Sequence, residues 1–444
     1  MKNRVEKPVL LPVYFSTEPD EEFKMQLAAL HQLLKDDALF LAPVRLGSSV
    51  PDSVDAVVLP EVLGAAYRNL PGLKAIPVPI LIITSEFGTV SMWDWEIAAY
   101  MRAEGMNPLA PTNLGQAKTM CRGLGVKRQL RKSRFLVFQD DPGAGFQASI
   151  FKRFYWWEDE CAQRILAKFG VEIVRKSFKK LGETSQEISD VEAQAAASSR
   201  KIPVDGVSSH SLLSAIKIYL AVKRELDADP GIQAAGINCL NESHFSDTTP
   251  CLAWSILYEE EKLIWGCEAD TMSMLTKLVL HRSLDVPIMM TNLYPFILGQ
   301  AALKHERIPA FPDVKEPENC ILVAHCGYLG VVPQSFATEW TLKPKVLKIV
   351  NNNATAMDAR LPEGPVTLAK LHPKLDMMSV AEGRLESYAQ YPDSDCRNGG
   401  VIRVKNGPAL VDSLASHHYL LTTGHNESNI QILGKIFDFA LQSL

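Results

Sequence analysis

The sequence predicts two doubly wound α/β domains with parallel sheets, followed by a β-rich C-terminal domain. Three observations carry that prediction. The chain has 444 residues, too many for one hydrophobic core of ordinary size. Short apolar runs alternate with helix-like segments through its first three quarters, at the spacing of parallel strands joined by crossover helices. Beyond residue 335 or so, strand-like runs follow one another without helices between them.

Taken in order, Val9–Phe15 reads as the first strand and Glu21–Leu34 as the first helix. Strands at Asp55–Leu59 and Ile80–Thr84 and a helix at Trp93–Ala103 complete the first unit. A second unit opens with the strand Arg134–Gln139, which leads through Asp140-Asp141-Pro142-Gly143-Ala144-Gly145 into a long helix ending near Gly170. Strands at Val171–Val174, Val204–Val207, Gly236–Leu240, Leu263–Trp265, Val286–Met290 and Ile321–Ala324 continue the series. Lys343–Val350, Val366–Leu371 and Gly400–Val404 then read as strands, closed by a helix at Ile430–Gln442. The expected domains are 1–132, 133–335 and 336–444.

Composition narrows the class. Hydrophobic content of 47% and charged content of 22% are those of an ordinary globular protein. A net charge of −5 gives no reason to expect nucleic acid as a partner. The densest basic run, Lys127-Arg128-Gln129-Leu130-Arg131-Lys132, is short and interrupted, and reads as a solvated helix end or an interdomain segment. The eight cysteines form no CxxC pair, which argues against a zinc knuckle or disulfide scaffold and suits a reducing compartment. The apolar run near the N-terminus contains Pro8 and Pro12 and lacks a small-residue cleavage site, so it reads as a strand rather than a signal peptide. No apolar stretch approaches bilayer length. A soluble, cytoplasmic protein without a membrane partner is expected.

In open α/β sheets, ligands bind beyond the carboxyl ends of the strands. Glu268 follows one apolar run, Asn292 ends the next, and His325 ends a third. Singly, these are a surface acid, a turn residue and a core histidine; jointly, they occupy equivalent ends of neighbouring strands and could converge. Asp270 reads instead as a helix cap, because Met274, Leu275, Leu278 and Val279 make an apolar stripe directly after it. The glycines of 140–145 invite a phosphate-loop reading, but two acids there would repel phosphate, and a plain turn fits better. Tyr155-Trp156-Trp157 reads as packing, and no GxSxG elbow or HExxH pair is present. Cys267, Cys320 and Cys326 are small buried hydrophobes or reactive thiols. In 416–425, SHHYLLTTGH, His417 and His418 point to opposite faces of a strand, so one could enter a site while the other stays in solvent.

Residues 236–327 resemble the L-fucose/L-arabinose isomerase family in order and spacing. The resemblance runs from Gly236-Ile237-Asn238-Cys239 through Pro250-Cys251 and Cys267-Glu268-Ala269-Asp270 to Leu275-Thr276 and His325-Cys326-Gly327. Trp93-Asp94-Trp95-Glu96 fits the first domain of such proteins, and His418 with Thr423-Gly424-His425 fits their last. The resemblance implies a homo-oligomer, a trimer or hexamer, with sites near subunit contacts. It also implies a divalent metal, manganese first and zinc or cobalt as alternatives, and a small sugar as substrate. The implied reaction is aldose–ketose isomerisation through an enediolate, with Glu268, Asn292, His325 and His418 as metal ligands and Glu268 and Asn292 at the catalytic positions. Asn292 stands where the fucose isomerases have aspartate. A neutral amide can coordinate through its oxygen but cannot shuttle a proton, so Asp270, Glu242, Glu306 or a metal-bound water would take the place of that carboxylate, and nothing in the sequence chooses among them. Epimerisation or elimination through the same intermediate is the related outcome. Asn292 also motivates a second reading, a non-catalytic carbohydrate-binding or regulatory protein. A periplasmic-type sugar receptor is disfavoured by the β-rich third domain.

Overall fold

The computed structural model describes residues 5–61, 65–84, 92–140, 158–295, 314–390 and 398–444. Its first sheet is parallel, with β1 (Val9–Tyr14) at the centre. β2 (Leu39–Phe40) and β3 (Val44–Arg45) lie along one side of β1, and β4 (Ala56–Leu59) and then β5 (Ile80–Ile82) on the other. Strand alternation divides the packing. Leu10, Ala56 and Leu81 face the main core, while Leu11, Val57 and Ile82 face a second, smaller one. The helix Glu21–Leu34 starts where the Asp20 carboxylate accepts the Phe23 N–H at 2.9 Å, and it buries Phe23, Leu27, Leu30 and Leu34.

The second sheet repeats the pattern. β6 (Arg134–Phe138), β7 (Glu172–Lys176), β8 (Ile232–Ile237) and β9 (Ile264–Cys267) run parallel in the order β7-β6-β8-β9. The chain steps from β6 to one edge and then crosses back to β8, so the direction of winding reverses between β6 and β8. The expected long helix is described as Asp159–Phe169 and stops at Gly170, whose φ of +75° permits the left-handed turn.

The last third is an antiparallel barrel. Its strands are β10 (Ile288–Pro295), β11 (Cys320–Ala324), β14 (Gly364–Leu371), β15 (Met377–Ala389), β16 (Gly399–Val404) and β17 (His418–Thr423). They close in the ring β14-β17-β10-β11-β16-β15 through the pairing of β15 with β14. β18 (Ala440–Ser443) adds to β15 in parallel, and β12 (Glu339–Pro344) with β13 (Thr355–Arg360) forms a separate hairpin. The α/β and β-rich character of the chain is therefore as the sequence predicts.

Several elements differ. The runs at 286–290 and 321–324, expected to continue the parallel series, are antiparallel barrel strands, so 133–335 supplies strands to two sheets. A short apolar run buried on both faces reads the same in either setting. Val204–Val207 makes only an isolated bridge from Val204 to Leu342. The expected helix 430–442 is the helix Glu427–Phe437 followed by β18. Residues 345–350 are not strand, and the basic run ends the helix Leu114–Leu130. There Lys127 Nζ donates to the Ile436 carbonyl at 2.6 Å, and Arg128 pairs with Asp55 at 3.1 Å, tying three parts of the chain together.

One helix joins sheet to barrel. Thr271–Leu284 packs on β8 and β9 from one side and on β10, β14 and β17 from the other. All its residues but His281 are buried, so the stripe expected of an amphipathic helix is in fact one face of a fully enclosed one. Among the described residues, no helix is long and apolar enough to cross a membrane.

Candidate metal centre

The carboxyl end of β9 turns sharply. Glu268 and Ala269 both adopt left-handed backbone, with φ of +54° and +53°, which costs about 1 kcal/mol or more per non-glycine residue. The turn delivers Asp270 to the first position before the helix, where its Oδ1 accepts the Ser273 N–H at 2.8 Å. Asp270 is thus a cap, as its sequence setting predicts. Glu268 is left pointing at the barrel.

Two barrel residues meet it. His325 follows β11, and His418 opens β17. His325 Nε2 lies 3.4 Å and His418 Nε2 3.7 Å from Glu268 Oε1. One ligand atom from each of the three residues falls within 4.8 Å of the others, and all three residues are buried. His325 Nε2 is buried and faces Glu268 Oε1. One carboxylate and two imidazoles in this arrangement can hold a divalent metal ion.

The surroundings orient the donors. Asp270 Oδ2 lies 2.9 Å from His418 Nδ1. A carboxylate only accepts, so Nδ1 carries the proton, and in the neutral ring Nε2 has the lone pair that a metal would need. Lys370 Nζ donates to Ser273 Oγ at 2.6 Å and sits 3.4 Å from Asp270 Oδ2, and both members of that pair are fully buried. The Lys370 and Asp270 charges offset each other, leaving the negative charge of Glu268 to attract a cation. Burial pushes the Glu268 carboxyl upward, but hydrogen bonds from His325 and His418 outweigh it and hold the group well below the usual carboxylate range. Burial lowers the His325 pKa. The same burial acts on His418, yet hydrogen bonds to Asp270 and Glu268 raise that imidazole overall.

Asn292 lies directly across from His418 in the β10–β17 register, so the two side chains share one face of the sheet. Its Nδ2 donates to the Tyr294 hydroxyl at 3.1 Å, while its buried Oδ1 has no hydrogen-bond partner. An amide oxygen is chemically able to coordinate a metal ion.

Other expectations resolve differently. Glu242 is buried, with both carboxylate oxygens on the Asp140 N–H. Glu306 lies outside the described residues, as do 141–145, Tyr155-Trp156-Trp157 and the side chains of Trp93 and Asp94. His417 does not stand in solvent. It is half-buried with its ring 4.5 Å from that of His418, and burial with the neighbouring imidazole pushes its pKa down to about 3. Burial drives the Cys267 thiol well above its usual value, the behaviour of a small apolar side chain. A hydrogen bond with Cys251 and burial do the same to Cys326, whose Sγ lies 2.9 Å from His325 Nδ1. Cys320 belongs to a separate core cluster with Leu322, Ala389 and Val401.

Sequence reasoning missed Lys370. The available signal was its phase, since it follows Val366 and Leu368 on one face of β14. Lys277, also fully buried, was hidden in an apparently ordinary helix. No family model matches the chain, and no curated protein matches it.

Proposed function

We propose that the chain is a metal-dependent, sugar isomerase-like enzyme of the L-fucose/L-arabinose isomerase kind. It would interconvert an aldose and a ketose through an enediolate, or use that intermediate for epimerisation or elimination. The observation that carries the reading is the convergence of Glu268, His325 and His418 from the end of a parallel sheet and two barrel strands. A divalent ion bound there, manganese first and zinc or cobalt next, would polarise a sugar carbonyl and stabilise the charge that develops on its oxygen. Glu268, held deprotonated, is the group able to take a proton from the carbon beside that carbonyl and return it. Asp270 fixes the His418 ring and Asn292 offers a neutral oxygen. A reducing, cytoplasmic setting is part of the same reading, resting on cysteines without CxxC spacing. A homotrimer or homohexamer with sites near subunit contacts completes the proposal.

A second reading has its own observation. Asp270 is committed to His418, Ser273 and Lys370, and Glu242 to Asp140, so neither replaces the carboxylate that Asn292 lacks. A carbohydrate-binding protein that does no chemistry would look the same. Incubation of the manganese-loaded protein with five- and six-carbon aldoses and ketoses in D2O separates the two. Deuterium incorporation at C2 of the aldose or C1 of the ketose, lost in Glu268→Gln, supports the enzyme. Saturable sugar binding without exchange would replace it with the binding protein.

A further inference from the structure

The parallel sheet continues the site away from the metal ligands. Phe138 pairs with Ile237, and Ile237 with Cys267, so β6, β8 and β9 end in register. The residues immediately following are Gln139, Asn238 and Glu268. They form a row across three adjacent strand ends, with steps of about 4.8 Å and a span of about 10 Å. The Gln139 and Asn238 positions flank the place where the winding reverses, the crevice at which open α/β sheets bind ligands.

The main chain at both positions is well held. Gln139 N–H donates to the Lys176 carbonyl at 3.0 Å, Asn238 N–H to the Phe138 carbonyl at 3.0 Å, and the Asn238 carbonyl accepts from Glu242 N–H at 3.1 Å. The side chains are another matter. Asn238 is fully buried, yet neither its Oδ1 nor its Nδ2 has a hydrogen-bond partner, and the buried Gln139 Oε1 has none either. A buried amide without partners is costly, and such groups persist where something else satisfies them. A carboxamide donates and accepts at once and carries no charge. That matches hydroxyl groups and offers nothing to neutralise a carboxylate or phosphate.

We infer that Gln139 and Asn238 are a neutral hydroxyl-binding row that extends from Glu268 and receives the polyol chain of the ligand, an inference that rests on reading the Glu268 site as a sugar site. The two amides are positioning residues, acting on the ligand's orientation and not on its reacting carbon.

The test compares the full-length wild type with Asn238→Leu, Asn238→Ser and Gln139→Leu after loading with manganese. Three quantities are measured: metal content, thermal midpoint without ligand, and calorimetric affinity for ribitol, xylitol and L-arabinitol. The expected result is unchanged metal content and a midpoint equal to or above that of the wild type. Alditol affinity should fall about tenfold or more in each variant, the size of one lost hydrogen bond. If Asn238→Leu does not fold, the Ser variant decides. Affinity within twofold of wild type, or a lowered midpoint with affinity intact, would make the amides structural and overturn the inference. Metal-loaded wild type that binds no alditol would overturn it too while leaving the metal site standing. Alditol binding that weakens in the variants of a protein without metal would keep the row and remove the metal reading.

Discussion

Asp270 carries two duties that pull on different observables. It holds His418 Nδ1 at 2.9 Å, and it is the nearby carboxylate for the buried Lys370 ammonium at 3.4 Å. Asp270→Asn should weaken metal binding by roughly 10–100-fold, because the ring loses the partner that fixes its tautomer. It should also cost about 3–5 kcal/mol of stability, because Lys370 is left buried and uncompensated. Adding Lys370→Met to Asp270→Asn should restore much of the stability and none of the metal affinity. Metal titration and chemical denaturation of the single and double variants check both.

His418 sets a pH dependence with two signs. Its folded pKa lies above the ordinary 6.5, so in the metal-free protein its contribution to stability is full below the unfolded value and is lost as pH rises through the folded one. Metal binding runs the other way, since the ion requires the neutral ring. Affinity should rise with pH by about tenfold per unit until the folded pKa of His418 is passed, then level off. Titrations between pH 5.5 and 8.5 read this directly, and a flat profile would mean that His418 is not a ligand.

At the scale of elements, the helix Thr271–Leu284 carries the connection between sheet and barrel. Burial pushes the Lys277 pKa down from 10.5 to about 7, and its ammonium donates to the Trp265 carbonyl at 2.8 Å. A folded value below the unfolded one means the wild type bears its full penalty below pH 7, which then shrinks as pH rises toward 10.5. Lys277→Met should therefore gain stability relative to wild type at pH 6 and lose that advantage by pH 10. Denaturation at the two pH values measures the difference. Local signals were the legible ones here. The Asp270 cap could be read because it needs only the residues that follow it. The strands at 288–295 and 320–324 were legible as strands but not as barrel members, because their direction depends on β16 and β17, far along the chain. The far end of the helix expected at 430–442 failed for the same reason, since Ala440–Ser443 is strand only through its pairing with β15.

At the scale of the molecule, the proposed centre joins two architectures. The parallel sheet gives Glu268, and the barrel gives His325, His418 and the neighbouring Asn292. Strand-end reasoning singled out Glu268, Asn292 and His325 as equivalent ends of neighbouring strands. Asn292 instead lies within β10, and β10 and β11 run antiparallel in the barrel, so Glu268 and His325 meet across two sheets. The family resemblance added His418. What could not be read was the buried support, Lys370 and Ser273, whose roles exist only once β14 lies on the helix. A ligand spanning sheet and barrel should stabilise both. At about 100 times its dissociation constant, added metal should contribute about 2.7 kcal/mol and raise the calorimetric midpoint of the wild type, with no shift in His418→Ala.

Metal stoichiometry is the most direct test of the central claim. Elemental analysis of the purified wild type and of Glu268→Gln, each after incubation with manganese, zinc and cobalt and removal of the excess, reads it without any assumption about substrate. About one ion per wild-type chain and essentially none in Glu268→Gln is the expected result. A wild type that retains no metal under any of these conditions, or a variant that retains as much as the wild type, would contradict it.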